Sequence, residues 1–279
     1  MKNFMQCLKW GRLTLAFCFY VLIIVPSVAC SNRTDDNIRP QNTYVLVHGA
    51  WQAPYVWDDV KATLEKNGNR VIVVELPAHG SDTTSPAKVT IEVYRDKVLS
   101  AINSVKGKVI LVGHSMGGMV ITAVAEAQPD RIWKLVYIGA FLPANGQSLL
   151  ALASQDATSL LGPNLIPSAD HLTLDVNRTQ VINIFCQDAS ADKQKEVLDN
   201  FRMEPAIPFT NNVSISAANF GKVNKYYIYT ALDHAISLDN QKKMVAAAGI
   251  TQTFTLNSSH CPFLSMPDKV SDLLLQIGK

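Results

Sequence analysis

The sequence has few cysteines and little excess of either charge. Only Cys186 and Cys261 follow position 30, and two cysteines are too few for a disulfide framework, so we expect two separate thiols. The 25 basic and 23 acidic residues nearly cancel, leaving a formal net charge of +2. This balance argues against a basic surface for nucleic acid, and no nucleic-acid partner is expected. The chain also has no internal repeat and no low-complexity tract.

The N-terminal segment has the composition of an export signal. An apolar run over residues 13–25 follows three basic residues and precedes Pro26, and it is short for a membrane-spanning helix. The small residues before Cys30 resemble the lipobox of bacterial lipoproteins, with Ser27 where leucine is usual. We predict that residues 1–30 are a signal peptide and that Cys30 is lipidated. The protein would then be an exported bacterial protein, periplasmic or membrane-anchored; soluble secretion and an uncleaved anchor are the alternatives.

The remaining residues predict one catalytic domain of the α/β class. Residues 31–42 are polar and without periodicity, as in a tether. Six short segments rich in Val, Ile or Tyr predict strands at residues 43–47, 70–74, 108–112, 134–138, 225–230 and 251–256. Five amphipathic segments predict helices at residues 56–67, 91–105, 116–128, 240–248 and 267–277. This alternation favours a mostly parallel sheet flanked by helices.

One long segment interrupts the alternation. Residues 143–221 contain several prolines, patchy amphipathic helix and no convincing strand, and a loop of this length is uncommon in a compact domain. We predict a helical cap inserted after the fourth strand, over the carboxyl ends of the sheet where such folds bind ligands. Residues 43–142 and 222–279 would form the core.

A nucleophile is indicated directly after the third predicted strand. Residues 113–117 read GHSMG and lead into a predicted helix. GxSxG between a strand and a helix is typical of a nucleophile elbow, in which the serine occupies a strained turn and the glycines leave room for it. We therefore predict that Ser115 is the nucleophile. The alternative is a glycine-rich turn that only packs the helix on the strand.

A serine nucleophile needs a base and an acid that orients the base. In this fold the chain order is nucleophile, acid, histidine. Three of the six histidines precede Ser115, and one lies in the predicted cap. His234 follows the fifth predicted strand, with no candidate acid between it and Ser115 except its neighbour Asp233, whereas His260 follows the last predicted strand. His260 is therefore the predicted base. Asp233, on the loop after the fifth predicted strand, is the predicted acid, and Asp239 is the fallback, although it has the position of a helix-start residue.

Two backbone amides are candidates for an oxyanion hole. One is the N–H of Met116, which follows the nucleophile, and the other is the N–H of Ala50, after the first predicted strand. We expect His48 to brace this loop through backbone hydrogen bonds. Three aromatic residues are candidates for an apolar substrate pocket or, equally, for the core: Trp51, Phe141 and Phe263.

These segments resemble one family. Residues 45–51 (VLVHGAW), the Ser115 elbow, residues 233–236 and the Ser259-His260 loop are similar to the methylesterase and hydroxynitrile-lyase family of α/β-hydrolases, over about residues 43–277. The resemblance implies the α/β-hydrolase fold, a six-stranded sheet, a helical cap, and no cofactor or metal. The lyases carry threonine where this chain has Gly49 and lysine where it has Cys261, so the resemblance favours an esterase.

The sequence thus predicts a serine hydrolase that cleaves carboxylic esters through a Ser-His-Asp acyl-enzyme mechanism. Expected substrates are small hydrophobic esters, pyrethroid-type esters and lactones, including macrolide-type macrocycles. An amidase or a thioesterase would use the same residues, and a slow-turnover ligand-binding protein would keep them. A hydroxynitrile lyase is less favoured. Contact with a membrane is expected only through the lipid anchor.

Overall fold

The computed structural model describes residues 42–279. The predicted signal peptide, Cys30 and all but the last residue of the predicted tether lie outside the described residues. Within residues 42–279, no helix combines the length and the apolar character needed to cross a membrane.

Nine strands and ten α-helices make up the described part of the chain. The strands are β1 Thr43–Val47, β2 Arg70–Val74, β3 Val109–His114, β4 Ile132–Ile138, β5 Leu165–Pro167, β6 Thr173–Val176, β7 Glu204–Pro205, β8 Asn224–Thr230 and β9 Gln252–Leu256. The helices are α1 Asp58–Lys66, α2 Ile91–Asn103, α3 Gly117–Ala127, α4 Leu149–Ala153, α5 Val181–Phe185, α6 Ala191–Asn200, α7 Ile207–Thr210, α8 Leu238–Ala247, α9 Pro262–Ser265 and α10 Pro267–Ile277.

Six of the strands form the central sheet, in the order β2-β1-β3-β4-β8-β9. Every adjacent pair in this sheet is parallel, and every residue of β3 is buried. The six predicted strands are confirmed, with ends that differ by at most two residues from the predicted ones. Because all six strands run the same way, the loops after β1, β3, β8 and β9 meet at one edge of the sheet.

Helices flank the sheet, with α1 packed on α10 and α2 packed on α3. The five predicted helices are confirmed, with small changes at their ends. At the first, residues Pro54–Trp57 form a 3₁₀ turn before α1 begins. Side chains cap four helix starts: Thr90 at α2, Ser148 at α4, Ser190 at α6 and Ser237 at α8 each accept a hydrogen bond, which satisfies amides that the helix leaves without partners.

The segment between β4 and β8 contains four short helices and a second sheet. Strands β5, β6 and β7 form this sheet and pair antiparallel, so the prediction that residues 143–221 contain no strand is wrong. The three strands have only 3, 4 and 2 residues, which is too few positions for an alternating pattern to be visible. We call this segment, residues 143–221, the cap.

Candidate active site

Ser115 lies in the sharp turn between β3 and α3. Its φ of +53° is in the left-handed region that residues with a side chain avoid. The turn is held by its carbonyl oxygen, which accepts from the N–H of Gly118 at 3.0 Å and from that of Phe141 at 3.1 Å. A strained serine held by its surroundings is the geometry of a nucleophile elbow.

The elbow depends on glycines because backbone passes close to it. A Cβ on Gly113 would lie 2.7 Å from the carbonyl oxygen of Gly117, and a Cβ on Gly117 would lie 2.9 Å from that of His48. A Cβ on Gly118 would overlap the carbonyl oxygen of Phe141. Side chains at these positions would force the elbow away from its neighbours.

We predict that Gly118→Ala lowers the free energy of unfolding by about 3 kcal/mol, because the new methyl group meets rigid backbone. Gly162→Ala is the matched control, since a Cβ there has no atom within 4 Å, and it should change stability by less than about 0.5 kcal/mol. Urea unfolding followed by circular dichroism measures both. Equal stabilities of the two variants would contradict the close approach at Gly118.

His260 and Asp233 form a buried pair. Nδ1 of His260 lies 2.8 Å from Oδ2 of Asp233, and the two residues are 1% and 7% exposed. Asp233 follows β8 and His260 follows β9, so parallel strand ends bring them together. The hydrogen bonds within residues 42–279 do not include one between Ser115 Oγ and His260 Nε2; catalytic hydrogen bonds are often long in unliganded enzymes.

Asp233 is fixed by four further donors. Its Oδ1 accepts from the backbone N–H groups of Ala235 and Ile236, both at 2.8 Å. Its Oδ2 accepts from Thr230 Oγ1 at 2.7 Å and from Gln241 Nε2 at 3.3 Å, besides the histidine. With every neighbour donating, the carboxylate presents a fixed acceptor to the imidazole. Asp239, the fallback acid, is exposed in the first turn of α8.

The two amides predicted for the oxyanion hole are buried, and neither has a partner within residues 42–279. Ala50 is 4% and Met116 is 1% exposed, and the backbone N–H of neither donates a hydrogen bond to any residue of the described range. The loop after β1 is close to the nucleophile, because a Cβ on Gly49 would lie 2.8 Å from Cβ of Ser115. Two free donors beside a serine are what an oxyanion requires.

His48 braces this loop, as expected. Its Nδ1 lies 2.9 Å from the carbonyl oxygen of Gly49, and its Nε2 accepts from the N–H of Leu76 at 3.2 Å. Burial, together with the nearby His79, lowers the pKa of His48 to about 3. The imidazole is therefore neutral at physiological pH, with one nitrogen that donates and one that accepts.

The loops of this site lie within the match to a known family. A model of the alpha/beta hydrolase family matches residues 44–273. The chain belongs to this family. The fold predicted from the sequence is confirmed by the match and by solved α/β-hydrolases: tomato methylketone synthase I (TM-score 0.78, 19% identity, 85% of this chain and 98% of that one) and polyneuridine aldehyde esterase (TM-score 0.76, 22% identity, 86% and 100%).

Within the α/β-hydrolase family the similar proteins are methylesterases of Arabidopsis thaliana. A protein with the name methylesterase 13, chloroplastic, is 31% identical over 252 residues, which are 85% of this chain and 56% of that protein. Methylesterase 9 is 26% identical over 250 residues, or 84% and 97% of the two chains. The chain thus spans little more than half of the first relative. An ester hydrolase activity of this chain therefore enters as a proposal.

The same relatives correct the predicted localisation. The expectation of a bacterial protein exported to the periplasm or anchored as a lipoprotein is wrong, because the matching proteins are plant methylesterases, several of them chloroplastic. The localisation was predicted from the apolar run before Cys30. Such a run reports only hydropathy, and hydropathy does not distinguish one targeting system from another.

Aromatic side chains of the cap cover the histidine of this α/β-hydrolase. Trp51 packs against Phe185, Phe201 and Phe209, with ring centroids 5.7, 6.4 and 5.7 Å away, and Phe185 lies 5.7 Å from the ring of His260. The three cap phenylalanines were not foreseen from the sequence. They place apolar side chains against Trp51, and Phe185 also lies against His260.

The other two predicted pocket residues lie close to the elbow. Phe141 is 3% exposed and meets Ser115 through its backbone N–H. Phe263 is fully buried and packs against Trp57 and His114, with ring centroids 4.6 and 4.7 Å away. The core alternative therefore describes Phe263 better than the pocket alternative.

Three residues that hold the histidine loop were also missed. Nε2 of His114 lies 2.9 Å from the carbonyl oxygen of His260, and burial with the neighbouring His260 lowers the pKa of His114 well below its usual value, so the ring is neutral. The carboxylate of Asp188 accepts from the N–H of Ser259 at 2.9 Å and from its hydroxyl. The carbonyl oxygen of Phe185 accepts from the N–H of Cys261 at 3.0 Å. Backbone groups on both sides of the imidazole are therefore fixed.

Proposed function

We propose that this protein hydrolyses carboxylic esters with Ser115 as nucleophile, His260 as general base and Asp233 as the group that orients the histidine. His260 accepts the proton of Ser115 as its oxygen attacks the ester carbonyl, and the N–H groups of Ala50 and Met116 stabilise the oxyanion. The imidazolium then protonates the leaving alcohol. Water attacks the acyl-enzyme with the same base, which releases the acid and restores Ser115.

One observation carries this proposal: the buried His260–Asp233 hydrogen bond of 2.8 Å lies at the sheet edge that also holds the strained Ser115 turn. Donors surround both oxygens of Asp233, which favours the imidazole tautomer with its proton on Nδ1. That tautomer leaves Nε2 able to accept a proton. A surface histidine or a packing serine would need none of this arrangement.

The aromatic side chains packed beside His260 favour hydrophobic esters as substrates. Trp51, Phe185, Phe201 and Phe209 form an aromatic cluster, Phe185 lies against His260, and methylesterases are among the similar proteins. We propose methyl and other small alkyl or aryl esters of hydrophobic acids as the main class. Lactones, including macrolide-type macrocycles, are a second class, because ring opening needs the same attack on a carbonyl.

Cyanohydrin cleavage has less support. The lysine of the lyases has its counterpart in Cys261, which is fully buried and accepts a hydrogen bond from Gln52 Nε2 at 2.9 Å. Burial raises the pKa of the Cys261 thiol well above its usual value. A neutral thiol carries no positive charge to stabilise a departing cyanide.

The test is turnover of a substrate panel by the full-length chain: methyl and p-nitrophenyl esters, a macrolide lactone and the matching p-nitroanilide, with a fluorophosphonate probe in parallel. We expect covalent labelling by the fluorophosphonate, and we expect the esters to be hydrolysed faster than the amide. Labelling without turnover of any substrate would instead indicate the slow-turnover binding protein. A folded chain that neither reacts with the probe nor hydrolyses an ester would overturn the proposal.

A further inference from the structure

A buried carboxylate of the cap reaches the loop after β1. Glu204, in β7, is fully buried. Its Oε2 accepts from the backbone N–H of Trp51 at 2.8 Å and faces Nε2 of His79 at 2.7 Å, and its Oε1 accepts from the hydroxyl of Tyr94 at 3.0 Å. Because burying a carboxylate is costly unless donors surround it, this set of partners indicates a built arrangement.

The surroundings of His79 require its ring to be charged. Nε2 faces the Glu204 carboxylate, and Nδ1 lies 3.0 Å from the carbonyl oxygen of Pro77. Both neighbours only accept hydrogen bonds, so both ring nitrogens must carry hydrogen. Burial opposes this charge, but the attraction and hydrogen bond of Glu204 outweigh it, and the pKa of His79 is raised.

Other ionisable groups near His79 do not replace its role. The neutral ring of His48 lies 4.8 Å from it between centroids, and the hydroxyl of Tyr94 points to Glu204. The guanidinium of Arg202 opposes the charge on His79, but Arg202 donates to the carbonyl oxygens of Gly80 and Asp82. Glu204 is thus the one carboxylate that His79 contacts in the described chain.

The amide that Glu204 holds adjoins the oxyanion hole. Trp51 has a φ of +59°, a conformation that a residue with a side chain adopts only when its surroundings impose it. Its N–H follows directly after Ala50, whose N–H is the candidate donor to the oxyanion. The indole N–H of Trp51 also donates to the cap, to the carbonyl oxygen of Leu174 at 2.9 Å. Cap contacts therefore fix the turn that aims the Ala50 amide.

We propose that Glu204 is a positioning residue for the oxyanion hole: paired with His79, it holds the Trp51 amide and so aims the Ala50 N–H at the developing oxyanion. The inference rests on the proposed esterase function. It assigns a catalytic consequence to the docking of the cap, beyond enclosing the substrate.

The test is Glu204→Gln in the full-length chain, assayed with a p-nitrophenyl ester. A glutamine keeps one oxygen for Trp51 and His79 but has no charge to keep the His79 ring protonated. The Nε2 of a neutral His79 accepts from the amide NH₂, which turns the amide oxygen away from the Trp51 N–H, so the Trp51 turn loosens. We expect kcat to fall by about 10- to 100-fold, with KM nearly unchanged. This fall in kcat is no larger than the one that follows removal of an oxyanion donor. A role in enclosing the substrate alone would change mainly KM.

Glu126→Gln is the matched control, because Glu126 also joins the cap to the core. Its carboxylate accepts from the backbone N–H groups of Ser216 and Phe220. It lies near the far end of α3, about 16 Å along the helix from Ser115 at 1.5 Å per residue. This variant should loosen the cap without changing kcat.

A pH profile gives an independent readout. The pKa of His79 is raised by folding, so the charged pair is present below that pKa and is lost as pH rises through it. Once His79 is neutral, the lone pair on Nε2 faces the carboxylate and the contact weakens. The wild type should therefore lose kcat on the alkaline side, and Glu204→Gln should lack this limb or show it at lower pH. If Glu204 had only a structural role, kcat of Glu204→Gln would fall at the same alkaline pH as kcat of the wild type.

Tyr94→Phe keeps the carboxylate and the aromatic packing but removes one donor to Glu204. We expect a smaller loss of kcat, about 3- to 10-fold, the cost of one hydrogen bond to a charged group, and this variant decides if Glu204→Gln does not fold. The positioning role would be overturned if the wild type is active but Glu204→Gln and Tyr94→Phe have the same kcat as Glu126→Gln and lose it at the same alkaline pH. A folded wild type without esterase activity would instead overturn the proposed function.

Discussion

Replacing Ser115 by alanine is expected to lower kcat for ester hydrolysis by at least about 10⁴-fold, because no acyl-enzyme can form without the hydroxyl. Labelling by a fluorophosphonate should disappear as well. The residual rate over water would come from the oxyanion donors and from substrate binding. Initial rates with a p-nitrophenyl ester and intact-mass spectra after probe treatment measure the two effects.

The loss must be one of chemistry and not of folding. Alanine at position 115 keeps the φ of +53° and the two hydrogen bonds to its carbonyl oxygen, so stability should stay within about 0.5 kcal/mol of the wild type. Ser271→Ala is a suitable control, since this buried serine lies in α10 and donates to Pro267. It should retain full activity. Turnover by a folded Ser115→Ala variant would remove Ser115 from the mechanism.

The positions of the candidate nucleophile and its partners could be inferred from the sequence because each is tied to a local pattern. The Ser115 turn is one contiguous motif, and its glycines report the close backbone contacts that the structure contains. Asp233 and His260 are 27 residues apart, but both follow strands of a parallel sheet. Parallel strand ends meet at one edge, so strand order alone was enough to propose that these two side chains approach each other.

The contacts of the cap could not be predicted in this way. Glu204 and the Trp51 amide are 153 residues apart, and β7 has only two residues. In sequence, a glutamate that stands two residues after an arginine and directly before a proline looks like a surface residue. Its burial results from how the cap docks on the core, and docking depends on long-range packing that leaves no periodic pattern. The same reason hid Asp188 and Phe185.

Asp233→Asn is expected to lower kcat by about 10³- to 10⁴-fold while preserving the fold. The backbone N–H groups of Ala235 and Ile236 donate to Oδ1, so the asparagine oxygen takes that place and its NH₂ takes the place of Oδ2. There the NH₂ donates to Nδ1 of His260. The imidazole must then carry its proton on Nε2, and it loses the lone pair that accepts the proton of Ser115.

The comparison with Asp239→Asn decides between the two candidate acids. Asp239 is exposed in the first turn of α8, so its replacement removes only a favourable interaction with the helix dipole, about 0.5 kcal/mol of stability. The kcat of Asp239→Asn should equal that of the wild type. Steady-state kinetics of the two variants, with unfolding curves for both, separate tautomer control from a general loss of charge near the site. If Asp239→Asn lost activity and Asp233→Asn kept it, the orienting acid would be Asp239, and the buried 2.8 Å contact of His260 with Asp233 would be a packing contact only.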